Sequence, residues 1–360
     1  MSERELKVAR DRIDEIDREL QGRISERAQI AQEIARIKKK MGEVGDAYRP
    51  AREAEILRKV VERNQGPLSN ETLGRLIREI MSACLSLESP LTVAYLGPEG
   101  TYTQAAVYKH FGHFVTARAL TAIDEIFREV QAANADYGVV PVENSSEGVV
   151  SHTLDLLVSS PLKVSGEVAL PVHHHLLSMA TDLAAVRRVY AHAQSLAQCR
   201  KWLDGKLANV ERVAVASNAE GARLAKSERD AAAIAGKAAA ELYGLGTLAA
   251  SIEDEPDNTT RFLVIGRQNV PRSGQDMTSL LLSVHNRPGA LHELLAPFAQ
   301  AGVNLTRIES RPSRRAKWDY NFFVDIEGHV DDAHVQSVLQ RVQSEAPFFK
   351  VLGSYPRTVI

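Results

Sequence analysis

Cysteine is almost missing from this 360-residue chain: Cys84 and Cys199 are the only two, far apart and without metal-type spacing. That excludes a disulfide framework and a thiolate metal site, and it reads as reduced thiols in a cytoplasmic protein. No apolar run approaches the roughly 20 residues that a membrane-spanning helix needs. The N-terminus is charged from Glu3 onward and has no apolar signal-peptide core. Neither sign of charge dominates, with 44 basic against 46 acidic residues and a net charge of −2. Nucleic acid and anionic membrane surfaces are therefore not expected partners. The one dense basic run, Lys38-Lys39-Lys40, reads as a solvated face. Aromatic residues are scarcest at the start, where residues 1–89 hold only Tyr48.

What is present divides into three stretches, as the length leads one to expect. Residues 1–89 read as all helix, broken at Gly42 to Gly45 and punctuated by Pro67 and Pro90. Residues 91–270 alternate short apolar runs with helical stretches, an α/β pattern. Strands are expected at 91–96, 137–142, 163–170, 188–192 and 261–265. Helices are expected at 105–110, 122–134, 195–203, 218–225 and 231–242. Residues 276–360 read strand, helix, strand, strand, helix, strand, the α+β ferredoxin-like order.

The first helix is expected over Glu3 to Met41, roughly 55 Å at ~1.5 Å per residue. A helix that long cannot be covered by a 90-residue unit, which points to an intertwined oligomer. In heptads one seam runs Leu6, Ile13, Leu20, Arg27, Ile34, Met41, and its companion Arg10, Asp17, Ile24, Ala31, Lys38. Arg10, Arg27 and Lys38 thus stand where apolar residues belong. Burying three cations without partners is very costly. They either pair with internal acids such as Asp17 or snorkel at the bundle ends, or they line a dry pocket for a small polyanion. Arg52 and Glu53 open the second helix, after Pro50 at its first turn. The third helix carries Cys84 on its apolar face and Glu88 one turn beyond.

Spread over three helices, Arg10, Arg27, Lys38, Arg52 and Glu53 resemble the active-site set of the all-helical chorismate mutases. The resemblance implies interlocked helices in a dimer or larger homo-oligomer, each site borrowing from its neighbour. Arg27 and one Arg10 from the other chain would hold the carboxylates of chorismate. Lys38 would donate to the breaking ether oxygen, Glu53 would bind the ring hydroxyl, and Arg52 would help at the carboxylate or ring face. The rearrangement needs no nucleophile, metal or cofactor: orientation and stabilisation of negative charge suffice. Known members carry Ser and Gln where Cys84 and Glu88 stand, and some have Asp at Arg49. Glu88 can assist the ether oxygen only as the neutral acid, so mutase activity is expected to fall as pH rises.

In the second stretch, Gly97-Pro98-Glu99-Gly100-Thr101-Tyr102-Thr103 follows a strand and opens a helix, a geometry that turns backbone N–H groups toward anions. Pro141-Val142-Glu143-Asn144-Ser145-Ser146-Glu147-Gly148 is a polar run directly after a strand, where ligands of open α/β sheets bind. Asp257-Asn258-Thr259-Thr260-Arg261-Phe262 leads into another strand. In this order, with His192 to Cys199 and the Ala-rich helix ending Glu241-Leu242-Tyr243-Gly244-Leu245, these clusters resemble prephenate dehydratase. The Thr-Arg-Phe triplet at 260–262 is that family's catalytic signature. The resemblance implies two lobes like a solute-binding protein, the second over about 170–255, with prephenate between them. Thr260 would donate to or orient the departing hydroxyl, and Glu143 or His192 would supply the proton through it. Asn144, Ser146, Thr101 and Gln198 are anchor candidates, and Arg261 either binds substrate or buttresses the cleft. His173, His174 and His175 cannot converge on one metal, because consecutive strand residues point to alternate faces. A structural role at the lobe hinge is expected for them.

The third stretch carries Asn286-Arg287-Pro288-Gly289-Ala290-Leu291 and Glu309-Ser310-Arg311-Pro312. It resembles an ACT domain of the phenylalanine-binding kind. The resemblance implies phenylalanine held by Gly289, Ala290 and Leu291 and closed over by Glu309 and Ser310, between paired chains. Other readings stand beside this one: an amino-acid sensor without chemistry, an arogenate dehydratase, and a helical segment kept only for dimerisation.

Overall fold

A computed structural model describes residues 3–42, 48–284, 287–312 and 320–360. The N-terminal unit is three helices, α1 (Glu3–Met41), α2 (Pro50–Arg63) and α3 (Asn70–Glu88). α1 starts with Glu3 and Glu5 and ends with three lysines, charges that suit its dipole at both ends. None of its residues is buried, and Leu6, Ile13, Leu20, Ile34 and Met41 stay 44% to 69% exposed. Pro50 sits in the first turn of α2, and Ser69 caps α3 by accepting from Thr72 N at 3.1 Å.

The helices are docked on the next unit. Tyr48 is 6% exposed, with its ring 5.0 Å from Phe111 and 5.4 Å from Tyr137. The lone aromatic of the first 89 residues is thus a core residue of the α/β unit. Arg58 donates to the Ser273 and Gln275 carbonyls across the boundary.

The α/β unit has two sheets. The first is ordered β2 (Thr116–Leu120), β1 (Thr92–Leu96), β3 (Tyr137–Asn144), β11 (Thr259–Gly266), β5 (Lys163–Pro171), with β4 (Gly148–Val149) beside β3. β1 runs parallel to β2 and β3, while β11 is antiparallel to both its neighbours. The second sheet is ordered β10 (Gly246–Ala249), β6 (His175–Ser178), β9 (Ala231–Ala235), β7 (Arg188–His192), β8 (Glu211–Val215). Only two crossings join the lobes, one from β5 to β6 and one from β10 back to β11.

Two expectations fail in the second lobe. The Ala-rich run at 231–242 is not one helix: Ala231–Ala235 is β9, and α10 (Lys237–Tyr243) begins only after Gly236. All five residues of β9, four alanines and Ile234, are 0% exposed, between β6 and β7, so burial overrides the helix preference of alanine. Small side chains let α9 (Asn218–Ser227) approach closely, and a Cβ at its Gly221 would lie 2.9 Å from the Tyr190 carbonyl oxygen. The stretch 195–203 divides at Cys199 into α7 (Ala193–Gln198) and α8 (Arg200–Lys206).

The C-terminal unit is a four-stranded antiparallel sheet ordered β13 (Leu305–Pro312), β14 (Tyr320–Glu327), β12 (Asp276–Val284), β15 (Phe348–Pro356). Helices α11 (Ala290–Gln300) and α12 (Ala333–Glu345) cover one face. Met277, Leu281, Phe323, Leu352 and Tyr355 on the other face join the core of the first lobe, with Leu154, Leu157, Val164 and Leu263. The C-terminal sheet is therefore buried on both sides.

Candidate active sites and the cleft between the lobes

A cleft of about 440 Å³ opens between the two α/β lobes. Thr101, Asn144, Gln198 and Thr260 all line it, with Tyr102, His174, His192, Ser195, Ser217, Asn218 and Asn258. The N-terminal caps of four helices reach its wall: Thr101 of α4 (Tyr102–Phe111), His192 of α7, Ser217 of α9 and Gly236 of α10. Helix N-termini carry partial positive charge and free N–H groups. Among the described residues lining the cleft there is no Arg or Lys. The polar groups that face the cleft are neutral donors and helix ends, with two histidines.

Thr260 is held by a defined network. Asn144 Oδ1 accepts from the backbone N–H groups of Ser146 and Glu147 at 3.1 Å each. That fixes its amide so that Nδ2 donates to Thr260 Oγ1 and to Asn258 Oδ1, both at 2.8 Å. With its oxygen accepting from Asn144, the Thr260 hydroxyl directs its own proton elsewhere. Ser146 itself lies exposed on the loop and outside the cleft lining. Its contribution is the backbone N–H that orients Asn144.

The hinge histidines tie the lobes. Tyr102 Oη donates to the His173 carbonyl at 2.7 Å and lies 3.0 Å from His174 Nδ1. His174 Nε2 is 2.8 Å from Gln198 Oε1 in the second lobe. Burial lowers the pKa of His174, and its backbone N–H donates to Glu253 at 2.8 Å. His173 meets the same carboxylate at 2.9 Å, and His175 Nδ1 accepts from Ser251 N. His174, Tyr102 and Asn258 are site residues that the sequence reading did not select. Each stands in a run that the sequence singles out, but only the folded hinge shows which member of the run faces the cleft.

Glu143 is not in the cleft, against expectation, and Arg261 is also outside it, which leaves the buttressing role of its two expected ones. Each is the strand neighbour of a cleft residue and faces the other side of the sheet. Arg261 lies 2.8 Å from Glu167 and 2.8 Å from Asp325, and Glu143 pairs with Arg307. Glu143 is thereby removed as a proton source for Thr260. His192 remains at the wall, its Nδ1 accepting from Gln194 N at 3.4 Å.

The helical candidates are spread out within one chain. Lys38 Nζ donates to Glu88 Oε1 at 2.7 Å. That contact engages one oxygen of the Glu88 carboxyl. Glu53 lies against Arg78 at 3.2 Å, and burial outweighs that cation and pushes its carboxyl up to about 7. Arg78 and Glu88 stand ten residues apart on α3, roughly 15 Å, so Glu53 is not beside the Lys38–Glu88 pair. Arg52 bonds Glu55 at 2.5 Å on the surface. Arg10 and Arg27 are exposed on α1.

In the C-terminal unit, Gly289 adopts φ 81° and caps α11, a left-handed position that suits glycine. Ala290 lines a hollow of about 250 Å³ with Arg287 and Glu293, whereas Glu309 lines a separate cavity against the first lobe. Leu291 and Ser310 are exposed, and Asn286 lies outside the described residues. The two expected phenylalanine motifs are thus not joined in one cavity of one chain.

Comparison with known proteins agrees with the three-part division. Residues 9–89 match the chorismate mutase type II model, 93–270 the prephenate dehydratase model, and 278–343 the ACT domain model. The chain is similar to the bifunctional chorismate mutase/prephenate dehydratase of Stutzerimonas stutzeri, 56% identical with 99% of each chain covered. The protein of that name from Pseudomonas aeruginosa is 55% identical over the same shares. Among solved structures, prephenate dehydratase from Arthrobacter aurescens in complex with L-Phe is 36% identical with a TM-score of 0.68, over 74% of this chain and 90% of that one. With all three units matched in order and near-complete coverage of its relatives, the chain belongs to the bifunctional chorismate mutase/prephenate dehydratase family.

Proposed function

We propose that this chain performs both reactions of its family in separate sites, as a cytoplasmic homo-oligomer. Chorismate is rearranged to prephenate on the helical unit. Prephenate then loses CO2 and its ring hydroxyl in the cleft to give phenylpyruvate. Phenylalanine acts on the C-terminal unit as a feedback regulator.

The observation that carries the dehydratase reading is the oriented Thr260 hydroxyl in a cleft without Arg or Lys among its described lining residues. As the ring carboxylate leaves as CO2, its electron pair enters the ring, and the C–O bond to the hydroxyl breaks. The departing oxygen takes a proton and leaves as water. Thr260 supplies the hydrogen bond at that oxygen, because Asn144 occupies its acceptor side. His192, one of the two histidines at the wall, is the proposed proton source, delivering it as the imidazolium. A guanidinium clamped on the leaving carboxylate would favour the ground state over a transition state in which that charge has moved. Helix ends and neutral amides avoid that penalty while still attracting a dianion.

The mutase reading rests on the exposed seam of α1. Arg10 and Lys38 are 28 residues apart on one straight helix, roughly 42 Å, so one small substrate cannot meet both in a single chain. A second copy laid antiparallel along the exposed apolar seam brings its Arg10 toward Arg27 and Lys38. Paired chains also supply the missing half of a phenylalanine site between Gly289–Leu291 and Glu309–Ser310.

Separate assays of the two steps test the division. Thr260→Ala is expected to lower phenylpyruvate formation by about 10²–10⁴-fold and to leave chorismate consumption intact, while Arg27→Ala does the reverse. Loss of both activities from either folded variant rejects separate sites.

A further inference from the structure

The cleft residues Thr260 and Asn144 are backed by a charged pair that belongs to the regulatory interface. In the antiparallel register of β3 and β11, Thr260 stands opposite Asn144 and Arg261 opposite Glu143. The register shifts immediately afterwards, with Phe262 opposite Pro141, so Val142 is an extra residue on β3. Such bulges re-aim side chains next to active sites. Here Val142 and Glu143 both line the cavity of about 30 Å³ shared with the C-terminal sheet, while Asn144 keeps the cleft.

Both charged residues are gripped by that sheet. Arg261 lies 2.8 Å from Asp325 on β14 and 3.3 Å from Tyr355 Oη on β15, in addition to Glu167 of its own lobe. Glu143 pairs with Arg307 on β13. Two residues along β13, Glu309 of the expected effector motif faces the same cavity. Two further on, Arg311 reaches Asp155 at 3.1 Å and bonds Ser151, both on α6 (Ser151–Ser159). One strand therefore carries the effector motif and three side chains directed at the dehydratase lobe. The Arg261 and Asp325 side chains are only 17% and 10% exposed, so solvent screens their attraction weakly.

We propose that Arg307 and Asp325 are positioning residues for dehydration, acting through Glu143 and Arg261 on Asn144 and Thr260, and that phenylalanine alters turnover by this route. The inference rests on the reading that the cleft dehydrates prephenate and the C-terminal unit binds phenylalanine. A ligand that shifts β13 changes the Arg307–Glu143 contact. Glu143 and Asn144 are consecutive on one strand, so the shift reaches the amide that aims the Thr260 hydroxyl. Asp325 holds the parallel connection through Arg261 to Thr260 itself.

The test uses the full chain with Arg307→Met and Asp325→Asn. Dehydratase kcat/KM is measured with and without saturating phenylalanine, phenylalanine binding is followed by calorimetry, and mutase rate checks the helical unit. Both variants are expected to bind phenylalanine, yet the ratio of uninhibited to inhibited kcat/KM falls by about fivefold or more. The double exchange Glu143→Arg with Arg307→Glu is expected to recover part of that ratio, which loss of packing alone would not do. Variants that bind phenylalanine and keep the wild-type ratio overturn the route. A wild-type chain that neither binds phenylalanine nor responds to it overturns the reading beneath. If Arg307→Met loses phenylalanine binding through misfolding, the isosteric Asp325→Asn decides.

Discussion

Glu53 shows how much a single buried carboxyl can decide. Burial pushes it up to about 7 against the opposing influence of Arg78 at 3.2 Å. A folded-state value above the unfolded one means that the native chain holds the proton longer. Its contribution is therefore complete below the unfolded value near 4.5 and is lost as pH rises through about 7. At ~1.4 kcal/mol per unit the span is about 3 kcal/mol. Guanidinium unfolding at pH 5 and at pH 8 should show that drop in stability, and Glu53→Gln should remove it. An unchanged pH slope in the variant would rule out Glu53 as its source. At the same scale, Asn144 illustrates what a sequence conceals. Its polar run was legible as a ligand loop, but which neighbour faces the ligand was not. Strand alternation puts Glu143 on the far side of the sheet from Asn144, and the bulge puts Val142 there with it.

Among the elements, the Ala231–Ala235 strand was misread because local preference and environment disagree there. Alanine favours helix in isolation, but a strand buried on both faces beneath closely packed helices needs small side chains more than it needs strand formers. β15 uses the same device against β5. A Cβ at Gly353 would lie 2.1 Å from the Val164 carbonyl oxygen, far inside van der Waals contact. Neither backbone can give without breaking its ladder. Gly353→Ala should therefore loosen the C-terminal sheet from the first lobe. Limited proteolysis between residues 266 and 276 should accelerate, and the phenylalanine effect on dehydration should weaken. Wild-type cleavage rates in that variant would show that the sheet docks without this close approach.

For the whole molecule, α1 is the element that one chain leaves unfinished. A 39-residue helix with no buried residue and an apolar seam in water is stable only if another surface covers it. Leu20→Glu, at the centre of that seam, is expected to shift the protein toward single chains in sedimentation velocity. It should abolish mutase turnover at the same time, since Arg10 would lose its neighbour. A dissociated variant with full mutase activity would place the whole site within one chain. The remaining helices behave otherwise. Tyr48, just ahead of α2, is packed on Phe111 and Tyr137 in the dehydratase core, so the mutase unit is seated rather than tethered.

The sequence by itself determined the three units, the 39-residue first helix, the β-α-β-β-α-β order and the residues Thr101, Asn144, Gln198 and Thr260 that meet at the cleft. These follow from periodicity, turn chemistry and contiguous motifs, which are local. Only the tertiary structure decided that Glu143 and Arg261 turn to the regulatory sheet, that His174 joins Tyr102 to Gln198, and that Glu53 stands apart from Lys38 and Glu88. Those facts depend on strand face, on a one-residue bulge and on contacts between residues far apart in the chain. They are settled by which surfaces are buried together.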